Sequence, residues 1–176
     1  EYADDTGVIF DSRESTKHGT VSIITHFERF GMEVHTGLRS PRGESKTEIL
    51  FCSKPLFLYD DPDTFDDIDL SDMFIDDTRY IPVVDQFTYL GSIINRDCTY
   101  GIDVYSRILK ASHAFGLLRN CLFSSTEVLK EVKGKVFRSL ILPILLYGAE
   151  CWSLTEGMLK KIRNFHHRCI RTMCRV

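Results

Sequence analysis

The chain has 176 residues, 43% of them hydrophobic, and a formal net charge of -3. These values allow one domain or two small lobes with a packed core, and they exclude a wholly disordered chain. The longest apolar run, residues 140–147, is interrupted by a proline and is too short to span a bilayer, which needs roughly 20 apolar residues.

The net charge hides an asymmetry between the two parts of the chain. Residues 1–80 carry 8 Lys and Arg against 18 Asp and Glu, whereas residues 81–176 carry 14 against 7. A basic second part favours contact with a polyanion. Ordinary solvated helix faces would give the same charge pattern, so both interpretations stay open.

The cysteines are dispersed and form no CxxC pair. We expect reduced thiols in an intracellular protein rather than a disulfide framework. The six residues are Cys52, Cys98, Cys121, Cys151, Cys169 and Cys174.

The first predicted elements surround a pair of aspartates. Residues 1–10 place short apolar flanks around Asp4 and Asp5, which predicts a tight strand-turn-strand. Apolar positions at intervals of three predict a helix over residues 15–30, with Gly31 at its C-terminal end. Residues 47–51 are a candidate short strand.

An acidic stretch and a hairpin follow. Residues 59–78 contain nine Asp with almost no periodicity, so we expect a poorly ordered, solvated loop or insertion. A calcium loop is the alternative, but the spacing does not follow the EF-hand pattern. Residues 87–94 predict a strand or hairpin arm broken at Gly91.

The last part of the chain predicts three amphipathic helices in a small bundle. Pro143 is expected to kink or restart the second helix. The fold class expected is α+β. The predicted apolar stripes are Val104, Ile108, Ala111, Phe115 and Leu118; then Leu129, Val132, Val136 and Leu140; then Leu159, Ile162, Phe165, Cys169 and Met173.

The residues most suggestive of chemistry are Tyr2-Ala3-Asp4-Asp5. Phosphoryl transfer by two metal ions needs carboxylates within reach of two Mg²⁺ about 4 Å apart, and a tight hairpin presents adjacent carboxylates at an exposed tip. An Asp-Asp pair is also common in turns and helix caps, so the tetrapeptide alone leaves both interpretations open.

The order of the remaining motifs resembles the reverse transcriptases of LINE-type (non-LTR) retrotransposons. YADD resembles the catalytic hairpin of these enzymes, and Lys46-Thr47-Glu48 resembles the KTE stretch that follows it. Further matches are the FTYLGS run that begins at Phe87, the RI…A…AF pattern that begins at Arg107, and the LLYGAE run that ends at Glu150 and precedes Trp152. Phe165-His166, Arg168-Cys169 and Arg171 match the last motif.

The resemblance implies a partial palm with the hairpin at residues 1–58, an acidic insertion at 59–80, a primer-grip hairpin at 81–100 and a helical thumb at 101–176. Asp4 and Asp5 would hold Mg²⁺, or Mn²⁺, and Lys46 would act as general acid on the leaving pyrophosphate. The segment before Lys46 departs from the family pattern. Primer contacts are implied for Tyr2, Ala3, Phe87, Tyr89, Leu90 and Gly91.

Basic residues off the apolar stripes are the candidate phosphate contacts of the thumb. A zinc site at His166, His167, Cys169 and Cys174 is disfavoured, because these residues do not share one helix face and no second ligand pair has finger-like spacing. The candidate contacts are Arg107, Lys110, Lys130, Lys133, Lys160, Lys161, Arg163, Arg168 and Arg171.

The chain lacks the second palm aspartate that such an enzyme needs. We expect that strand, the fingers and any endonuclease domain to lie upstream, so the chain is a fragment that polymerises nothing alone. Its partners in the intact enzyme would be an RNA template, a DNA primer and dNTP, in a cytoplasmic ribonucleoprotein and the nucleus. A non-catalytic nucleic-acid-binding module and a decayed relic are the alternatives.

Overall fold

A computed structural model describes residues 6–39, 43–52 and 70–176. The chain divides into two compact units, an N-terminal unit Glu1–Cys98 and a helical unit Thr99–Val176. The first unit combines a helix with small antiparallel sheets, and the second contains helices. The fold is therefore α+β, as the sequence predicts.

Helix α1 spans Arg13–Arg29 and confirms the predicted first helix. Ser12 caps it: its Oγ accepts a hydrogen bond from the backbone N–H of Ser15 at 3.2 Å, and the Ser15 Oγ accepts one from the Ser12 N–H at 3.1 Å. This reciprocal pair satisfies donors that a helix start leaves open. Beyond the other end, Gly31 has a φ of 71°, a value that glycine adopts without strain.

The first sheet of the N-terminal unit has the order β1-β3-β2, with β1 at Gly37–Leu38, β2 at Met73–Phe74 and β3 at Arg79–Ile81. Both neighbouring pairs are antiparallel. Tyr80 and Ile81 of β3 are buried together with Met73, and Ile24 of α1 is buried as well. These residues provide the apolar core of the unit.

Two strands correct the prediction of a loop over residues 59–80. Residues 59–69 of that stretch lie outside the described part, but β2 and β3 both fall within or at the end of it. Asp76 holds the turn between them: its Oδ1 accepts hydrogen bonds from the Thr78 hydroxyl and from the N–H groups of Thr78 and Arg79, at 2.7–2.8 Å. Aspartates in this stretch therefore do not all serve as solvated charge.

The hydrogen bonds from Thr78 and Arg79 hold the pKa of the Asp76 carboxyl well below its usual range. The Arg79 guanidinium contacts Asp76 Oδ2 at 2.7 Å and Glu28 Oε1 at 2.8 Å. Glu28 belongs to α1, so this arginine ties the turn to the helix.

A hairpin of β4, Gln86–Tyr89, and β5, Ser92–Asn95, confirms the predicted break at Gly91. Leu90 and Gly91 form its two-residue turn and have φ angles of 48° and 83°. Two positive φ values match the twist of the flanking strands.

Two short predictions at the start of the chain differ from the structure. Residues 6–10 form no strand, and Ile9 is almost fully exposed; the predicted turn at Asp4 and Asp5 lies outside the described residues. Of residues 47–51, Ile49 alone makes a strand-like contact, a parallel bridge to Val83. The Ile49 N–H donates to the Pro82 carbonyl at 3.0 Å, and the Ile49 carbonyl accepts from the Val84 N–H at 2.9 Å, so this segment pairs with the residues that follow β3.

The helical unit begins with α2, Gly101–Leu118, which continues into a π-helical turn, Arg119–Phe123. Helix α3, Lys130–Val136, continues through a second π-helical turn, Phe137–Ile141, into α4, Leu142–Leu145. A 3₁₀ turn at Ala149–Cys151 leads to α5, Glu156–Cys174. Pro143 lies in the first turn of α4, where its missing N–H is tolerated.

An aromatic cluster forms the centre of the helical unit. The rings of Phe115 and Phe123 stack with centroids 4.3 Å apart, and Phe137 packs edge-on against both. Ile141 and Leu145 from the second helical segment and Phe165 and Cys169 from α5 complete the buried core. Both π-helical turns thus contribute an aromatic ring to the core.

The buried face of the second helical segment differs from the predicted stripe. Leu129 is 68% exposed, and Val132 and Leu140 are exposed as well, whereas Lys133, Phe137, Ile141 and Leu145 are buried. Four residues of an α-helix advance about 40° beyond a full turn, so an uninterrupted α-helix would carry this series off one face. The wider π-helical turn compensates for that rotation, so that Ile141 rather than Leu140 is buried.

All six cysteines are free thiols in the structure. No helix in the described ranges is long and apolar enough to cross a membrane.

Candidate nucleic-acid interface

The YADD tetrapeptide lies outside the described residues, so Tyr2, Ala3, Asp4 and Asp5 remain predictions. Lys46 is described: it is exposed, and its backbone N–H donates to Nδ1 of His35 at 3.1 Å. Within residues 6–39, 43–52 and 70–176, no group of three or more His, Cys, Asp or Glu side chains could hold a metal ion.

The β4–β5 hairpin positions the predicted primer-grip residues. Phe87 and Tyr89 alternate with exposed residues along β4, and their half-buried rings lie with centroids 6.4 Å apart. Leu90 and Gly91 form the exposed turn at the tip. One hairpin therefore brings all four residues together, the aromatic pair on one face and the turn at the end.

Arg107 is buried in the helical unit, with 6% of its surface exposed. Its Nε lies 3.8 Å from Oδ1 of buried Asp103, and its guanidinium lies over the Tyr147 ring, 4.3 Å from the centroid. An arginine enclosed in this way cannot present its charge to a nucleic-acid backbone on the surface. Its contacts instead hold α2 against the segment that follows α4. We therefore exclude Arg107 from the candidate phosphate contacts.

Lys133 is also excluded from the candidate phosphate contacts, because it is buried. It is 3% exposed, and its Nζ donates to the backbone carbonyl of Ser125 at 2.6 Å. This bond ties α3 to the loop before it and satisfies a carbonyl that the turn leaves open.

The other predicted cations of the helical unit are exposed to solvent. They lie on α2, at the start of α3 and along α5, where such side chains can bind phosphate as point charges or planar forks. They are Lys110, Lys130, Lys160, Lys161, Arg163, Arg168 and Arg171.

A pocket of about 700 Å³ lies beside the C-terminal half of α5 and contains basic residues that the sequence analysis did not select. Arg168 and Arg171 line it together with Arg119, Arg175 and His167. Arg168, Arg171 and Arg175 occur three and four positions apart on α5 and its cap, and His167 lies four positions before Arg171. Such spacing places side chains on one helix face. That spacing is visible in the sequence, whereas the contribution of Arg119 depends on the packing of α2.

The chain is similar to a putative uncharacterized transposon-derived protein of Caenorhabditis elegans, with 30% identity over 89 residues, 51% of this chain. The chain spans about a third of that relative's length. No family model and no solved structure matches. The similarity supports an origin in a transposable element.

Proposed function

We propose that this chain is the C-terminal part of an RNA-directed DNA polymerase of the LINE-type retrotransposon kind, and that its helical unit holds primer and template by their phosphates. The observation that carries the proposal is the YADD tetrapeptide followed, in order, by the KTE, FTYLGS and LLYGAE motifs. The transposon-derived relative supports the coarser part of the proposal, an origin in a mobile element.

In this proposal Asp4 and Asp5 hold Mg²⁺, or Mn²⁺, with an aspartate supplied from outside the chain. The metal ions would neutralise charge on the reacting phosphate. Lys46 is exposed, which suits a lysine that delivers a proton or a positive charge to the leaving pyrophosphate. RNA template, DNA primer and dNTP are the partners, and a cytoplasmic ribonucleoprotein and the nucleus are the locations.

The β4–β5 hairpin would act as the primer grip. Its two positive-φ residues, Leu90 and Gly91, leave an exposed tip, and Gly91 lets a second backbone approach closely. Phe87 and Tyr89 stiffen the arm that carries this tip, because their half-buried rings pack in contact with each other.

The helical unit would bind the nucleic acid without reading its sequence. Its exposed lysines and arginines provide phosphate contacts, and an RNA–DNA hybrid is held largely through its shape and backbone. Binding should therefore weaken steeply with salt, because each phosphate contact releases a counterion.

The test is fluorescence anisotropy of a labelled RNA–DNA hybrid titrated with the chain at several salt concentrations. We expect the logarithm of the affinity to fall linearly with the logarithm of the salt concentration, by about 0.9 per phosphate contacted. Hybrids of unrelated sequence should bind with similar affinity. Absence of binding at low salt would overturn the proposed role of the helical unit.

The catalytic part has a separate test. The chain alone should extend no primer. Joined to an upstream segment that supplies the missing palm strand and its aspartate, the wild-type sequence should extend one, and Asp4→Asn should abolish extension while hybrid binding persists. Extension that survives Asp4→Asn would remove Asp4 from the metal site. Binding without extension in the joined protein would favour the non-catalytic module.

A further inference from the structure

We infer that the pocket beside the C-terminal half of α5 is a phosphate-binding site that takes the phosphate groups of a polynucleotide strand without contacting its bases. It deepens the proposed function, because it rests on nucleic-acid binding by the helical unit. It assigns the strongest contact to one pocket rather than to the basic surface as a whole.

The charge of the pocket is the first argument. Arg119, Arg168, Arg171 and Arg175 line it with His167, and no Asp or Glu side chain is among the lining residues. Within the described part of the chain, no carboxylate forms an ion pair with any of the four arginines. Four like charges in one pocket repel each other, so a bound anion would relieve that repulsion.

Two of these arginines are positioned by contacts inside the helical unit. The Arg175 guanidinium donates to the backbone carbonyl of Ser124 at 3.0 Å. Arg168 donates to the Ser112 hydroxyl at 3.4 Å and lies 5.7 Å from the centroid of the Phe165 ring. Each guanidinium has five N–H donors, so one such bond leaves others for the planar, paired contacts that phosphate oxygens favour.

The remaining lining residues define the class of ligand. Ser124, Asn164 and Thr172 add neutral hydrogen-bonding groups, and Val176, the last residue of the chain, completes the lining. No aromatic side chain other than the His167 imidazole lines the pocket. Base recognition on single strands relies on stacking against aromatic rings, so the pocket lacks the platforms that would bind bases. A volume of about 700 Å³ exceeds the need of one phosphate and fits a short run of backbone.

The experiment compares two variants with equal loss of charge. Arg119→Gln/Arg171→Gln removes two charges from the pocket. Lys135→Gln/Arg138→Gln removes two from exposed positions that neither line the pocket nor belong to the predicted phosphate contacts. Affinity for a labelled oligonucleotide is measured by anisotropy, and circular dichroism checks that both variants fold. We expect the pocket variant to lose about tenfold in affinity and the control variant less than about threefold.

The outcomes separate this inference from the proposed function. Equal losses in the two variants would overturn the pocket as a discrete site and leave surface binding intact. No binding by the wild-type chain would overturn the proposed function as well. The affinity is also compared between oligonucleotides that carry a 5′-phosphate and oligonucleotides that carry a 5′-hydroxyl. Tighter binding of the phosphorylated strand would show that the pocket binds a strand end. Equal affinity would show that it binds internal phosphodiesters.

A second measurement does not depend on the oligonucleotide. Inorganic pyrophosphate should raise the thermal midpoint of the wild-type chain, because it binds the folded state and relieves the arginine repulsion. It should leave the midpoint of Arg119→Gln/Arg171→Gln unchanged. An equal rise in both proteins would contradict the inference. Val176 lines the pocket and carries the terminal carboxylate, so the measurement is repeated on a chain extended past Val176 by a short Gly-Ser tail. We expect at least the same rise, and loss of the rise in the extended chain would overturn the inference.

Discussion

The indole N–H of Trp152 donates a hydrogen bond of 2.9 Å to Oδ2 of Asp103, across 49 positions of sequence. The other carboxylate oxygen of Asp103 faces Arg107, whose guanidinium lies over Tyr147. One buried carboxylate thus links the start of α2 to the segment after α4. In the sequence, Arg107 and Trp152 belong to two separate motifs, and in the structure they share this carboxylate.

Asp103→Asn is expected to lower the free energy of unfolding of the helical unit by about 3 kcal/mol, because it leaves the buried Arg107 charge without its counter-charge. Trp152→Phe should cost about 2 kcal/mol, the value of a hydrogen bond to a charged group. Urea unfolding followed by circular dichroism measures both. Glu131→Gln, an exposed acid of the same unit, is the control, and an equal effect of Asp103→Asn and Glu131→Gln would contradict the assignment.

Substitution of Lys130 should weaken nucleic-acid binding, whereas substitution of Lys133 should lower the free energy of unfolding. Lys133→Ala removes a buried side chain and its bond to the Ser125 carbonyl, so we expect a loss of about 2–3 kcal/mol in the free energy of unfolding. Lys130→Ala, at an exposed position, should change stability by less than about 0.5 kcal/mol and should weaken hybrid binding. Denaturant unfolding and anisotropy on the same samples test this. Weaker binding by a folded Lys133→Ala protein would return Lys133 to the interface.

Burial raises the pKa of the Cys169 thiol to about 11 from its ordinary value of 9.0. Because the folded-state value is the higher one, the thiol's contribution to stability is fully present below pH 9 and is lost as the pH rises through 11. We expect the advantage of wild type over Cys169→Ala to shrink by about 2–3 kcal/mol over that range. Urea unfolding at several pH values measures it, and an advantage that does not change with pH would contradict it.

The control for Cys169 is Ile170→Ala. Ile170 is its exposed neighbour and carries no titratable group, so its difference from wild type should stay constant with pH. Effects of lysine and tyrosine titration on the whole chain cancel in both comparisons.

The hairpin turn provides a test of strain. Leu90 has a φ of 48°, which a leucine adopts at a cost of about 1–2 kcal/mol, so Leu90→Asn should raise the thermal midpoint of the N-terminal unit. Gly91→Ala, at a φ of 83°, should lower it. Leu38→Asn is the control, because Leu38 has similar exposure and lies in β1, and it should bring no gain. A lower midpoint for Leu90→Asn would contradict the strain, and weaker primer binding alongside a higher midpoint would support the grip.

Sequence reasoning succeeded where local signals decide the structure. Gly31 directly follows the helix end that it predicts, and the β4–β5 turn contains Gly91, where the break is predicted. The Ser12 cap was not predicted, and the helix begins two residues earlier than expected. Sequence reasoning failed at Leu140, because the π-helical turn Phe137–Ile141 shifts the buried face to Ile141. The β2–β3 pair was missed because Asp76 acts through hydrogen bonds, which composition does not reveal.

The candidate site shows the same division. Arg107 and Lys133 carry the charge expected of a phosphate contact, but both are buried. Arg107 faces Asp103, and Lys133 donates to the Ser125 carbonyl. Tertiary packing determines these partners, so the sequence alone does not reveal them. Arg119 and Arg175 lie far apart in sequence and meet at one pocket only because the core brings α2 and α5 together. The spacing of Arg168, Arg171 and Arg175, by contrast, is visible in the sequence and indicates one helix face. Asp4 and Asp5 stay predictions, since they lie outside the described residues.

The π-helical turn at Phe137–Ile141 also bears on how this sequence can change over evolution. A wide turn contains one residue more than the α-helical turn it replaces, so loss of a solvent-facing position there, such as Ser139, would yield a regular helix without breaking the chain's continuity. In the shortened helix Lys133 would lie seven positions before the residue that corresponds to Ile141, about 20° short of two full turns, so it would still face the core. Relatives with a one-residue deletion at this point should therefore keep the buried side chain at the position of Lys133 and its bond to the loop before α3.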